Sequence, residues 1–142
     1  MTHRFFFGFV LGVGVAAGLV GVPVVLDQVQ PAPHVIEALS LRSAGPFAPG
    51  GVLPLEATVT RREICDATVY RFIWNVKTGD LVFSESRPGN AAGVCEHLSL
   101  KFDVRLPHDL ASGDYRFESL VYNDCSGESV VARSPSVNFQ VR

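Results

Sequence analysis

The sequence predicts an all-β protein, a seven-stranded antiparallel sandwich preceded by one apolar amino-terminal helix. Three observations in the 142 residues lead to this fold class. A long run near the amino terminus carries no charge, short stretches of the remaining chain alternate between apolar and polar residues, and Gly, Pro, Ser and Asp residues separate those stretches. Because no sustained helical period follows the apolar run, a single β domain of about 110 residues is expected.

The apolar run, "FFFGFVLGVGVAAGLVGVPVVL", spans residues 5–26 and predicts a transmembrane helix. At about 1.5 Å per residue it reaches about 33 Å, slightly more than the hydrocarbon core of a bilayer, about 30 Å. The proline-containing segment after it is typical of a short stalk. The predicted organisation is therefore a cytoplasmic tail, a membrane helix, a stalk and a β-sandwich, at residues 1–4, 5–26, 27–33 and 34–142.

The same run also admits a second interpretation, as a cleaved export signal. A small-residue cleavage site fits at Val15-Ala16-Ala17, before Gly18. The apolar region of an export signal is usually only about 7 to 15 residues long, and cleavage here would leave a very apolar start on the mature chain. A retained anchor is therefore favoured over a cleaved signal.

The flanks of the apolar run predict its orientation. His3 and Arg4 precede the run, whereas Asp27 follows it. Because positive flanks stay in the cytoplasm, the amino terminus is predicted inside and the β domain outside. In a bacterium this topology places the anchor in the inner (cytoplasmic) membrane and the domain in the periplasm or at the cell exterior.

Glycines within the run predict a helix-packing surface. Gly8 with Gly12, and Gly14 with Gly18, have the GxxxG spacing that lets two membrane helices approach closely. The predicted partners of this segment are the lipid bilayer and a second copy of the chain. Glycine is also common in membrane helices that do not pair.

Seven strands are predicted from period-2 alternation. The clearest is "LSLKFDVRL", where Leu98, Leu100, Phe102, Val104 and Leu106 share one face. The run "TVYRFIWNV" is apolar on both faces, which indicates a central strand, and the "KTGD" that follows it predicts a hairpin turn at Gly79. The predicted strands cover residues 34–42, 51–63, 67–76, 81–86, 97–106, 114–123 and 136–142.

The stretch "LPHDLASGDYRF" resembles the corner of immunoglobulin-like and fibronectin-like domains, where a tyrosine opening the sixth strand bonds back across the turn. Tyr115 stands at that place, and Trp74 on the third strand is similar to the core tryptophan of those domains. The layout also resembles small membrane-linked immunoglobulin-like proteins of bacteria and phages. This resemblance implies a fold and a location, but no catalytic residues.

An immunoglobulin-like strand order would bring Cys65, Cys95 and Cys125 to one end of the sandwich. An odd number of cysteines in an oxidising compartment predicts one bridge. A Cys65–Cys125 bridge, linking the third and sixth strands, is favoured, while Cys95 is left free in a glycine-rich loop. A Cys65–Cys95 bridge is the alternative.

Composition and spacing give no sign of catalysis, a cofactor or a metal. The formal net charge is -2 and no basic patch occurs, so nucleic acid is not an expected partner. The cysteine spacings do not fit a thiolate metal site. His97 and His108 lie at opposite ends of one strand, about 35 Å apart, and cannot share a site.

The predicted function is therefore non-enzymatic: a membrane-anchored immunoglobulin-like module that binds a protein or supports an assembly at the cell envelope. A cleaved, exported or virion-associated sandwich is the alternative. Loops at the cysteine end are the expected contact region. The candidate binding residues in those loops are Arg87, Asn90, Glu128 and Arg133.

Overall fold

The computed structural model describes residues 32–89 and 94–142. Within these ranges the chain is all-β, with eight strands in antiparallel pairings. Among these residues no helix is long and apolar enough to span a bilayer. The predicted membrane helix at 5–26, with its four glycines, lies outside the described residues. The strands are β1 His34–Leu41, β2 Val52–Arg61, β3 Asp66–Asn75, β4 Leu81–Pro88, β5 Cys95–Arg105, β6 Gly113–Cys125, β7 Glu128–Arg133 and β8 Val137–Val141.

The strands form two sheets. Sheet A has the order β1-β2-β5, and sheet B has the order β4-β3-β6-β7, with β8 also paired to β6. The predicted hairpin joins β3 to β4, and Gly79 in its turn has a φ of 76°, which glycine adopts without strain. Sheet B has five strands, but β7 and β8 pair with successive halves of β6 and share one edge of it. Sheet B is therefore four strands across, one more than sheet A.

The core lies between the sheets, on the faces that the alternation predicts. On β2 the inward residues Leu53, Leu55, Ala57 and Val59 are all buried, and on β8 Val137, Phe139 and Val141 are buried. Deleting a fully buried aromatic side chain such as Phe117 would cost about 3–5 kcal/mol. The two-sheet packing therefore follows directly from period-2 patterning.

The predicted tyrosine corner is present. Tyr115 is buried, and its hydroxyl donates a hydrogen bond of 2.8 Å to the carbonyl oxygen of Ala111, four residues earlier. Its ring stacks on Phe139 with centroids 5.8 Å apart. The contact fixes the connection between β5 and β6 at the end of the sandwich away from the disulfide.

The prediction of seven strands was one short. Residues 128–133, expected in a loop, form β7 and pair with the second half of β6. The turn before it places Ser126 and Gly127 at positive φ, 51° and 91°, as a two-residue hairpin turn requires. Serine at the first turn position is a weak hairpin signal, and the alternation in "ESVVAR" is short.

The expectation of a core tryptophan was wrong. Ile73 is fully buried between the sheets, so the next residue, Trp74, lies on the outer face of sheet B, where its ring is 6.3 Å from that of Phe72. Both faces of β3 are apolar, so alternation alone does not identify the inward one.

The sandwich also begins slightly before its predicted boundary. Pro33 is buried, and its carbonyl oxygen accepts a hydrogen bond of 2.8 Å from the backbone N–H of Arg62. Ala32 packs against the buried cluster that includes Ile36 and Val59. The last two residues of the predicted stalk therefore belong to the domain.

Candidate ligand-binding cavity

One long side of the sandwich is open. On the opposite side β1 of sheet A approaches β7 and β8 of sheet B, but in the described part of the chain no Cα of β5 lies within 8 Å of a Cα of β4. Since sheet B is one strand wider, β4 extends beyond the edge of β5. Leu98 and Leu100 of β5 share a face with the buried Val104, yet they are 39% and 43% exposed.

A cavity of about 410 Å³ lies behind this opening, between the two sheets. Sheet A contributes mainly apolar side chains, and sheet B contributes both apolar and charged ones. This size lies within the range of small-molecule sites, about 300–1,000 Å³. Its lining residues are His34, Ile36, Ala57, Val59, Arg61, Val69, Arg71, Arg87, Pro88, Gly89, Leu98, Leu100, Phe102, Ser119 and Val121.

A polar row crosses the inward face of sheet B at one end of the cavity. Register places Glu85 of β4, Arg71 of β3 and Ser119 of β6 side by side. Nη1 of Arg71 is 3.0 Å from Oε1 of Glu85, and the Arg71 guanidinium lies 4.4 Å from the centre of the Phe102 ring in sheet A. Glu85 also binds Arg87, at 3.1 Å, at the rim.

Arg61 lies at the other end of the cavity and is only 3% exposed. Its Nε and Nη2 donate to the carbonyl oxygens of Glu63 and Cys65, at 2.9 Å and 3.0 Å. Its Nη1 is buried without a hydrogen-bond partner, and no carboxylate forms an ion pair with it among the described residues. Among the described residues, this buried cation is therefore solvated by main-chain carbonyl groups but not neutralised by a carboxylate.

Two further residues that line the cavity, His34 and Ser119, each carry a buried polar atom, Nδ1 and Oγ, without a partner in the described residues. His34 is the cross-strand neighbour of Arg61. Burial, and then the nearby charge of Arg61, lower the pKa of His34 below 6.5. The neutral imidazole is therefore favoured, and one of its nitrogens can accept a hydrogen bond.

The predicted disulfide supports this end of the cavity. Cys65 and Cys125 are bonded and extend the β3–β6 ladder beyond its last pair, so the bridge joins neighbouring strands of sheet B. The carbonyl of Cys65 is one of the two acceptors of Arg61. Cys95, expected in a loop, is the first residue of β5.

A carboxylate oxygen of Glu63 lies within 4.8 Å of both sulfurs of this bridge. Such a group of oxygen and sulfur atoms can hold a metal ion only when the sulfurs are thiolates. Here the sulfurs are bonded to each other, so this cluster offers no thiolate ligand.

The candidate binding residues are divided by the fold rather than gathered in loops. Arg87 lies on β4 and lines the cavity, whereas Glu128 and Arg133 are exposed on β7, at the opposite edge of sheet B. Asn90 lies outside the described residues. The expectation that these four side chains share loops was wrong for the three that are described, because β4 and β7 extend into those segments.

Sequence reasoning missed His34, Arg61, Arg71 and Ser119. A signal was nevertheless present: Arg61 continues the inward parity of Ala57 and Val59, and Arg71 lies between the inward residues Val69 and Ile73. A charged residue at an inward position of a strand is the pattern that could have identified the cavity.

The outer face of sheet B carries a second apolar surface. Tyr70, Phe72, Trp74 and Tyr122 lie on this face; Tyr70 and Tyr122 are exposed, and Phe72 and Trp74 are half-buried. The Tyr122 hydroxyl and the Ser129 hydroxyl are 2.6 Å apart. This aromatic face is separated from the cavity by the sheet itself.

Comparison with known proteins gives a fold but no family. No family model matches the chain, and neither does any curated protein. Among solved structures, the chain is similar to the C-terminal domain of Wzt, with a TM-score of 0.58 and 17% sequence identity, over 79% of this chain and 75% of that one. Together with the two sheets, this similarity supports an immunoglobulin-like β-sandwich. At this identity the similarity is evidence of fold alone.

Proposed function

We propose that this chain is a non-catalytic binding module, an immunoglobulin-like domain displayed at the cell envelope, which takes a ligand into the cavity between its sheets. One observation carries the proposal: an open cavity coincides with three buried polar atoms, on His34, Arg61 and Ser119, that have no partner among the described residues. Ligand sites combine apolar walls with a few convergent polar groups in the same way.

Energetics favour a ligand site over a packing defect. An unsatisfied buried polar group costs about 1–3 kcal/mol, and a small domain is stable by only about 5–15 kcal/mol in total. Three such groups lie on residues that line one cavity, and Leu98 and Leu100 are exposed at its mouth. The free-energy cost of the three groups is a large fraction of that stability. A ligand that satisfies the polar atoms and covers the leucines would recover it.

The polar groups of the cavity favour binding over catalysis. Nucleophilic catalysis by Ser119 would require a hydrogen bond to a base, with His34 as the histidine of the cavity. Neither Oγ of Ser119 nor Nδ1 of His34 has a hydrogen-bond partner in the described structure, so the two atoms are not joined. Arg61 and Arg71 can bind an anion but are poor general acids or bases.

The envelope location rests on the amino-terminal sequence and on the bridge. The run at 5–26 has the length of a membrane span and Arg4 on its inner flank. The Cys65–Cys125 disulfide is typical of a domain in an oxidising compartment. A signal-cleaved, exported or virion-associated domain with the same cavity is the alternative, and the mass of the mature chain distinguishes the two.

A protein partner at the envelope is a second candidate, favoured by the aromatic face. Interfaces are enriched in aromatic residues, and Tyr70, Trp74 and Tyr122 lie together on the outer face of sheet B. A structural role would use this surface, whereas ligand binding would use the cavity. Substitutions in one site should therefore leave the other function intact.

Binding in the cavity can be tested with anilinonaphthalene sulfonate, a fluorescent anion with an apolar body. The full-length chain in detergent micelles should bind the dye saturably, after subtraction of empty micelles. Leu100→Trp fills the mouth of the cavity and should remove this binding. Ser99→Trp, one residue away on the exposed opposite face of β5, is the matched control and should retain it. Equal dye binding in both variants would contradict the proposed site.

A further inference from the structure

The cavity is elongated along the strands. It extends from Phe102, which pairs with Leu55, to Arg61 on the same strand β2. Six residues of β-strand cover about 20 Å. A site of this shape fits an extended chain better than a compact or branched molecule.

The middle of the cavity is apolar. Its walls there are Ala57, Val59 and Leu100 on sheet A, and Val69 and Val121 on sheet B. A sugar bound along this length would bury hydroxyl groups without hydrogen-bond partners, at a large free-energy cost. An aliphatic chain has no such groups, so the middle of the cavity favours it.

The arginines at the two ends differ in their ion pairing. At one end Arg71 and Arg87 share the carboxylate of Glu85. At the other end Arg61 has no carboxylate partner among the described residues. Its Nη1 donates no hydrogen bond to these residues. An isolated buried charge is expensive unless an opposite charge meets it. A ligand anion would therefore bind at the Arg61 end.

We infer that the ligand of this cavity is a single-chain amphiphilic anion, an aliphatic chain ending in a carboxylate, with its head at Arg61 and its chain directed towards Phe102. The inference rests on the proposed function and specifies its ligand class. The carboxylate accepts hydrogen bonds from Nη1 of Arg61, while the chain contacts Val59, Leu100 and Val121.

A matched pair of ligands tests this inference. Dodecanoate and dodecanol share the same chain and differ in the charge of the head. Each would be titrated against the anilinonaphthalene sulfonate complex of the full-length chain in micelles, with empty micelles subtracted. The wild type should bind dodecanoate about tenfold more tightly than dodecanol, the ratio expected of one charge-assisted hydrogen bond.

A matched pair of variants locates the head. Arg61→Met removes the buried cation at similar volume and should abolish the preference for dodecanoate while dodecanol binding remains. Arg62→Met is the control, because Arg62 is the exposed neighbour and only its backbone contacts Pro33. Retained dodecanol binding also shows that the Arg61→Met chain still folds.

The outcomes separate the two proposals. Equal affinity of the wild type for dodecanoate and dodecanol would overturn the inference that the ligand has an anionic head, but it would not contradict the proposed binding function. This outcome requires no variant. A preference that survives Arg61→Met would overturn the assignment of the head to Arg61. Failure of both ligands and of the dye to bind would overturn the proposed function itself.

Discussion

The two halves of this sandwich use the same strands in different ways. The closed half, next to the tyrosine corner, packs Leu53, Leu55, Tyr115, Phe117 and Phe139 into a continuous core. The open half, next to the disulfide, has a smaller core and the cavity beside it. The polar row through Glu85, Arg71 and Ser119 divides them.

This contrast shows how one alternating pattern can produce both a core and a site. In the closed half the inward residues Tyr115 and Phe117 of β6 are large and aromatic, whereas in the open half the inward positions include Ser119 and Asn123. Apolar burial stabilises the first half. The disulfide and the hydrogen bonds that Arg61 donates stabilise the open half, so the packing of its core need not be complete.

The largest effect is expected in the closed half. Phe117→Ala should lower the free energy of unfolding by about 3–5 kcal/mol, because Phe117 is fully buried between the sheets. Leu100→Ala in the open half should cost about 1 kcal/mol or less, since that side chain is 43% exposed. Urea unfolding measures both. Similar losses would mean that the halves are packed alike.

Removing the disulfide should have the next largest effect. Replacing Cys65 and Cys125 together by serine should lower the free energy of unfolding by about 2–4 kcal/mol, because the bridge closes a loop of 60 residues. It should also weaken dye binding, since Cys65 holds Arg61 through its carbonyl. Dye affinity is measured below the unfolding transition. Unchanged affinity would show that the bridge does not support the cavity.

A pair of serines gives a smaller and sharper contrast. Ser134→Ala should cost about 1 kcal/mol, because the Ser134 hydroxyl accepts a hydrogen bond of 2.9 Å from the backbone N–H of Ser119. Ser119→Ala should be neutral or stabilising without ligand, since its hydroxyl has no partner in the described structure. The difference between their unfolding free energies is the observable. A larger cost for Ser119→Ala would reveal a contact that the free domain makes.

The smallest expected effect is on pH dependence. The pKa of His34 is lowered by burial and by Arg61, so between 6.5 and its lower folded value the unfolded chain binds more protons than the folded chain. Stability should therefore be lost as the pH falls from about 8 to about 5.5, and less so in His34→Gln. Urea unfolding at the two pH values compares the slopes. Identical slopes would contradict the buried, neutral histidine.

Much of the fold could be predicted from alternation. The inward faces of β2 and β8, and the burial of Val104 and Leu106 at the end of the β5 face, are confirmed. The turn at Gly79 is confirmed as well, and so are the tyrosine corner and the Cys65–Cys125 bridge, which the immunoglobulin-like resemblance implied. The missing strand β7 and the outward Trp74 mark the limit of the method. Where a strand is short, or apolar on both faces, period-2 patterning does not determine pairing or direction.

The site was much harder to predict than the fold. The hairpin turn predicts that β4 joins β3, but no local pattern shows that the edge of β5 in the opposite sheet is left uncovered. Arg61 and Arg71 were visible as charges at inward parity, but charged residues on strands usually indicate a solvated face. Whether Arg61 and Arg71 face solvent or a cavity depends on how the opposite sheet covers them. The anchor, topology and helix pairing predicted for residues 1–26 remain predictions.

A crystal structure of the full-length chain with ω-bromododecanoate would test most directly whether the open half is a ligand site. The anomalous signal of bromine should appear between the sheets beside Phe102, with the carboxylate at Nη1 of Arg61. Bromine on the aromatic face of Tyr70 and Tyr122, or an empty cavity at saturating ligand, would contradict the account.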